Sequence, residues 1–211
     1  MLFGSISYLN LLPFQLFLKR QLRDSASKMS FRYKRAVPSQ INRSLKRREI
    51  NAAFISSIES RKCKCTDLGI IANQKVYSVL LLEGEHEKDP ASATSNRLAE
   101  VLDLQGRVLI GDAALKYYLE GGKGIDLAEA WYAKTGLPFV FARLCYNKHG
   151  KSIEKLAKTF THKKVKIPQY ILKKEAKKRG VTAKQLSWYL EQIYYTMGHK
   201  EKLSLKKFLS L

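Results

Sequence analysis

The sequence predicts an α/β fold in two lobes with a ligand cleft between them, and three observations carry that reading. The first third of the chain alternates short apolar strands with amphipathic helices in a βαβαβ order, the repeat of a parallel sheet. A polar, acidic run from Glu83 to Pro90 then breaks the pattern, and a second, smaller unit of helices and strands follows. Short polar clusters recur where strands hand over to helices or turns, the edge on which open α/β sheets bind ligands.

Taken in order, residues 2–9 read as a strand and 12–23 as a helix, with Pro13 suited to its first turn. Phe31 to Ala36 is a second strand, and Ser39 to Arg48 a helix capped by Ser39. Ala52 to Ile55 is a buried strand that leads into Ser56 and Ser57. Leu68 to Ala72 and Val76 to Leu82 are further apolar strands. Thr94 to Leu104 is a helix, Arg107 to Ile110 a strand, and Ala113 to Leu119 and Asp126 to Thr135 two more helices. Pro138 to Tyr146 is a strongly apolar strand. Beyond Asn147 the pattern is helical to the end, in basic amphipathic segments broken near Pro168, Gly180 and Gly198. Crossings near 82–90 and 137–147 divide the chain into a discontinuous basic lobe, residues 1–82 plus 148–211 with the C-terminal helices, and a small lobe, residues 83–147.

At 211 residues and 45% apolar content, the chain is long enough to bury a core in each lobe. No apolar run approaches the roughly 20 residues that span a membrane, and no basic segment precedes the first apolar stretch, so a cytoplasmic protein is expected. Cys63, Cys65 and Cys145 are odd in number, and a C-x-C pair alone is neither a disulfide framework nor a zinc site, so free thiols are expected. The four histidines, His86, His149, His162 and His199, are scattered without metal-ligand spacing, so no metal is expected.

The formal net charge is +21, which alone points to an anionic partner. Its distribution is uneven. Residues 1–50 carry 11 basic and 2 acidic side chains, residues 51–147 carry 11 and 12, and residues 148–211 carry 17 and 4. The field is therefore either a set of solvated lysine faces or a functional anion attractor. The stretch from Glu175 to Leu186, with Gly180 at a turn, has the outline of a helix-turn-helix. That outline makes nucleic-acid binding one alternative, although no nucleic-acid partner is expected.

The chemistry resides in four clusters: Ser7-Tyr8-Leu9-Asn10, Ser56-Ser57-Ile58-Glu59, Ser92-Ala93-Thr94-Ser95 and Gly111-Asp112-Ala113-Ala114. Small hydroxyl residues at a helix start cap its free amides or, with those amides, bind a carboxylate. For Ser39, Ser57 and Ser92 taken singly, capping is the simpler role. Four clusters in one chain point instead to a shared cleft. Asn10 is either a helix-start cap or a neutral group that orients a hydroxyl or carboxylate. Glu59 is either a general base, if buried, or an exposed first-turn carboxylate. Asp112 reads as a turn or cap residue. Ser78 interrupts an apolar strand and suits a pocket-facing hydroxyl, whereas Tyr77 and Phe141 suit apolar walls or core.

Six blocks of sequence also carry a family resemblance. They are Ser7-Tyr8-Leu9-Asn10 with Leu12-Pro13-Phe14, Ile55-Ser56-Ser57-Ile58-Glu59, Ser78-Val79-Leu80-Leu81, Pro90 to Ser95, Ile110-Gly111-Asp112-Ala113-Ala114-Leu115, and Gly136 to Ala142. In this order, over roughly the whole chain, they resemble the chorismate dehydratase family of the futalosine route to menaquinone. The resemblance implies the two-lobed fold of type II periplasmic binding proteins and the loss of water from chorismate, without a cofactor, to give 3-[(1-carboxyvinyl)oxy]benzoate. For that reaction the residue types make Asn10 and Ser78 the expected catalytic groups, and Ser7, Tyr8, Ser56, Ser57, Glu59, Thr94, Ser95, Gly111, Asp112 and Phe141 the expected substrate contacts. No His or Lys falls within the blocks, so the expected base is the substrate's own enolpyruvyl carboxylate, with Glu59 as its rival. A binding protein for a small anionic metabolite, without turnover, is the alternative in the same fold.

Overall fold

The computed structural model describes residues 1–21, 31–163 and 165–211. Strand β1 (Leu2–Ser5) runs through a 3-10 turn at Leu9–Leu11 into helix α1 (Leu12–Gln21). β2 (Arg32–Arg35), α2 (Pro38–Lys46) and β3 (Ala52–Ser56) follow. β1 lies between β2 and β3 and parallel to both, the arrangement that βαβαβ alternation demands. β4 (Lys64–Ala72) then begins the antiparallel part of the same sheet. The next strand leaves it: β5 (Val79–Leu82) is central in a second sheet, antiparallel to β6 (Arg107–Ile110) and β7 (Ile125–Asp126).

Helices α3 (Ala93–Val101), α4 (Gly111–Leu119) and α5 (Leu127–Thr135) pack around this smaller sheet. The chain returns through β8 (Phe139–Tyr146), which inserts antiparallel between β3 and β4. α6 (Gly150–Thr161), α7 (Gln169–Arg179) and α8 (Ala183–Glu191) lead to β9 (Ile193–Thr196), the edge strand beside β4, and α9 (His199–Ser210) ends the chain. The large sheet therefore has the order β2-β1-β3-β8-β4-β9 and the small one β6-β5-β7.

Each sheet has its own core. Under the large sheet, Phe14 meets Phe54 and Phe160 edge-on with ring centres 5.0 and 5.2 Å apart, a favoured aromatic geometry. Beside the small sheet, Trp131 of α5 packs edge-on against Phe139 and Phe208, and its indole N–H donates to Ser204 Oγ at 2.9 Å. Phe208 and Ser204 belong to α9, so the last helix packs against the small unit as well as against the sheet that carries β8.

Several expectations are corrected. The first strand ends at Ser5 rather than Leu9, because Leu9 and Leu11 turn into the core through the 3-10 turn. The first helix is described to Gln21; its expected last residues, 22 and 23, lie outside the described residues. The strand expected from Val76 begins at Val79, since the amides of Val76 and Tyr77 are bound by the Asp126 carboxylate and Tyr77 has φ +61°. The C-terminal third is not wholly helical, for Ile193-Tyr194-Tyr195-Thr196 forms β9, as β-branched and aromatic residues favour. Of the strands next to the two crossings, β5 pairs in the small sheet and β8 in the large one. Cys65 and Cys145, expected as free thiols, are register partners across β4 and β8 and form a disulfide, while Cys63 stays free. Eighty residues of separation hide that pairing from the sequence.

Among the described residues no helix is long and apolar enough to cross a membrane, and no group of three His, Cys, Asp or Glu side chains could hold a metal ion.

Asp126 ties the small unit together. Its carboxylate caps α5 through the amides of Ala128 and Glu129 and also accepts from Val76 and Tyr77, where the chain crosses between sheets. Burial pushes its pKa up, and the four amide donors pull against that shift. Asp126→Ala leaves these amides without partners. It is expected to lower the unfolding free energy by about 3 kcal/mol in urea titrations, with Asp126→Asn losing less because its amide oxygen still caps α5.

Candidate functional site

The two sheets meet over a small cleft of about 70 Å³. From the large sheet come Tyr8 and Asn10, on the segment between β1 and α1, Ser56 at the end of β3, and Phe141 of β8. From the small unit come Ser78, ahead of β5, Ser92 and Ser95 at the start of α3, and Gly111 at the junction of β6 and α4. Ile6, Phe54 and Ile70 make the apolar floor. No Asp, Glu, Lys, Arg or His is among its lining residues. Tyr8 does not supply a charge either: burial, helped by the nearby carboxylates of Asp89 and Asp112, pushes its phenol up to about 12. The cleft is lined by neutral hydroxyl and amide groups.

Each polar group is held from behind. The fully buried Tyr189 of α8 donates to Ser78 Oγ at 2.9 Å, which leaves the Ser78 proton free to point into the cleft. Burial raises the pKa of Tyr189, so it remains a donor. Asn42 of α2 grips Ser56 at both ends. Its Nδ2 donates to Ser56 Oγ at 3.0 Å and its Oδ1 accepts from the Ser56 amide at 3.1 Å. Ser92 Oγ lies 2.7 Å from Ser95 Oγ and accepts from the Ser95 amide, so the expected helix cap is also part of the cleft wall. The backbone carbonyl of Asn10 accepts from Tyr195 at 2.7 Å. Its side-chain Oδ1 is buried with no protein partner, a cost of about 1–3 kcal/mol unless a ligand donates to it.

The other expected site residues lie elsewhere. Ser57 is fully buried and donates to the Val140 carbonyl at 2.6 Å. Thr94 Oγ1 accepts from the Ile58 amide at 3.2 Å, joining α3 to the turn after β3. Glu59 turns away from the cleft and pairs with Lys46 of α2. Ser7 lines a groove outside the cleft, and its carbonyl accepts from Arg179. Asp112 accepts from the Leu9 amide at 3.0 Å through Oδ1 and from Arg179 Nε at 2.9 Å through Oδ2, which joins the two units. Tyr77 packs at a tilt against Tyr118 and Trp188 and is not among the residues lining the cleft.

Four contributors escape a reading of the sequence: Asn42, Tyr189, Tyr195 and Arg179. Only one left a local trace. Asn42 sits on the apolar face of α2 beside Ile41 and Leu45, where a polar side chain needs a buried partner. Arg179 and Tyr189 come from the α7 and α8 pair around Gly180, the segment with the helix-turn-helix outline. Leu186 and Tyr189 of its second helix are buried in the core, with Tyr189 behind Ser78.

The family model described as menaquinone biosynthesis matches residues 1–103 and 90–211. The chain belongs to this family. Within it, a protein of Campylobacter jejuni named chorismate dehydratase is 47% identical over 214 residues, covering 99% of this chain and 96% of that relative. A solved structure from Archaeoglobus fulgidus superposes with a TM-score of 0.73 at 13% identity, over 99% of this chain and 95% of that one. The periplasmic aliphatic sulphonate binding protein of Escherichia coli superposes with a TM-score of 0.59 at 11% identity, over 100% and 85%. The expected fold, two-lobed and periplasmic-binding-protein-like with the cleft between the lobes, is the one found.

Gly111 is where a family block meets a steric requirement. Its φ is +67°, and a Cβ there would lie 2.9 Å from the Tyr8 ring. The small unit can approach Tyr8 only because this position has no side chain. Gly111→Ala is expected to lower stability by about 1–2 kcal/mol. In a Tyr8→Ala background the same change should cost at least about 0.5 kcal/mol less, read from a double-mutant cycle of urea midpoints.

Proposed function

We propose that this protein dehydrates chorismate to 3-[(1-carboxyvinyl)oxy]benzoate on the futalosine route to menaquinone, using no cofactor. The observation that carries the reading is the 47% identity, over nearly the whole chain, to a relative named chorismate dehydratase. The cleft supports it, because its neutral, oriented donors match what the reaction needs. We also infer a cytoplasmic location, the one that the family resemblance implies. Most thiols there are kept reduced, so the Cys65–Cys145 bond would stand as an exception.

The reaction removes a ring proton and the neighbouring hydroxyl. The C–H electron pair enters the ring, the C–O bond breaks, and hydroxide leaves with a proton as water. Aromatisation of the ring supplies the driving force. The protein has to hold the ring so that these bonds align and to stabilise the departing oxygen. In this reading Ser78 donates to the leaving hydroxyl, backed by the Tyr189 donor behind it. The buried Asn10 Oδ1 accepts from that same hydroxyl, the substrate's single ring alcohol, and fixes its orientation. Ser95 and the amides at the start of α3 receive a carboxylate, as helix starts do. The lining holds no ionised base and Glu59 is committed to Lys46, which supports the enolpyruvyl carboxylate of the substrate as proton acceptor. The cleft holds only about 70 Å³, so in this reading the lobes part to admit the substrate and close over it.

Incubating the purified protein with chorismate and following the enolpyruvyl-benzoate absorbance tests the reading. Turnover is expected; binding without turnover would make the protein a carrier of a small anionic metabolite instead. Asn10→Ala, Ser78→Ala and Tyr189→Phe should each lower kcat on the order of 100-fold, with Tyr189→Phe the mildest because Ser78 itself remains. Glu59→Gln should stay within about twofold of the parent kcat, a change of about 0.4 kcal/mol in barrier. A loss of turnover with chorismate still bound would restore Glu59 as the base.

A further inference from the structure

The cleft has no cationic side chain among its lining residues, yet the substrate proposed for it carries two carboxylates. The missing positive charge lies next door. A groove of about 580 Å³ runs outside Tyr8, between the ends of β1 and β2 on one side and helices α1 and α7 on the other. Tyr8 lines both spaces, so its ring is the partition between them.

The groove's charges fall into two sets. Lys178 and Arg179 are neutralised locally, by Glu175 and, for Arg179, also by Asp112. Lys19, Arg35 and Lys174 have exposed side chains, and among the described residues none of them makes an ion pair or a side-chain hydrogen bond. They come from three different elements, α1, β2 and α7, and converge on one concavity. A concave surface lined by one sign of charge focuses its field and raises the local concentration of counter-ions. Three solvated, unpaired cations are also poor partners for tight binding, because water competes for them. This combination suits capture followed by release better than retention.

We propose that this groove is an electrostatic funnel that gathers the dianionic substrate and hands it past Tyr8 to the neutral cleft when the lobes part. The proposal rests on the dehydratase reading for the identity of the dianion. It separates two tasks in space: attraction by Lys19, Arg35 and Lys174 outside, and orientation by uncharged groups inside. A cation within the cleft would stabilise substrate and transition state alike, and would leave a buried charge once product left.

The test compares two variants with the same loss of net charge. One is the groove variant Lys19→Gln, Arg35→Gln, Lys174→Gln. The other is a control, Lys151→Gln, Lys155→Gln, Lys158→Gln, on the exposed face of α6 and lining neither the cleft nor the groove. All six side chains are exposed, so both variants should fold. Steady-state kinetics with chorismate are read at an ionic strength of about 20 mM and again at about 500 mM, where the Debye length falls to a few ångströms. At low salt the groove variant should lose roughly tenfold in kcat/KM, within the span of steering effects, with kcat within about twofold of the parent. The control should lose less than about twofold, and at high salt the three proteins should converge. If the groove variant matches the control, or if its loss falls in kcat rather than KM, the funnel is refuted and the dehydratase reading stands. If the parent protein binds chorismate without turnover, the same ratios are read in calorimetric affinity at the two salt concentrations. If it does neither, the dehydratase reading fails and the funnel for this substrate fails with it.

Discussion

One carboxylate organises the meeting of the two sheets. Asp112 sits in the first turn of α4, on the small unit, and accepts the Leu9 amide from the large one. Its other oxygen receives Arg179 Nε, and the same guanidinium reaches the Ser7 carbonyl at 2.8 Å. Ser7 and Leu9 flank Tyr8, so both bonds pin the segment that carries Tyr8 and Asn10 into the cleft. The pair is only about a fifth exposed on each side, where an ion pair gains more than at the open surface, and every charged atom has a hydrogen-bonded partner. Glu175, one helical turn before Arg179, holds the guanidinium from its own helix. The rim of the cleft is thus held by charges.

Within that rim the design is uncharged. Ser78, Ser56 and Asn10 are each fixed by a second side chain or backbone partner behind them: Tyr189, Asn42 and Tyr195 in turn. Such pairing leaves a defined free proton or lone pair facing the cleft, the arrangement that preorganised electrostatic stabilisation requires. Low polarity around these groups strengthens each bond they make and excludes competing water. A dianion entering this space needs attraction from outside it, and the unpaired cations beyond Tyr8 are placed to supply that.

The exchange of strands between the halves explains why the lobes remain one body. β8 follows the small unit in sequence but lies between β3 and β4, and Phe139 at its start packs into the small unit's core with Trp131 and Phe208. β5 precedes the small unit and forms its central strand. The crossings are therefore short. One is gripped by Asp126 through the amides of Val76 and Tyr77, and the other begins at Gly136, whose φ of +68° ends α5.

The sequence by itself determined the alternation of strands and helices, the parallel pairing of the first three strands, the four polar clusters and, through the order of its blocks, the family. These are local or ordered patterns, which apolar periodicity and residue spacing record directly. Only the tertiary structure decided which clustered residues share the cleft. Tyr8, Asn10, Ser56, Ser78, Ser95, Gly111 and Phe141 come together there, while Ser57, Thr94, Glu59 and Asp112 are turned to Val140, Ile58, Lys46 and Leu9. A hydroxyl at a strand end or helix start has the same local signature whether it faces a ligand or a protein partner, since the partner that chooses between them lies 14 to 111 residues away. The same distance hid the Cys65–Cys145 pair, the antiparallel insertion of β8, and the role of Arg179 in holding the opening segment in place.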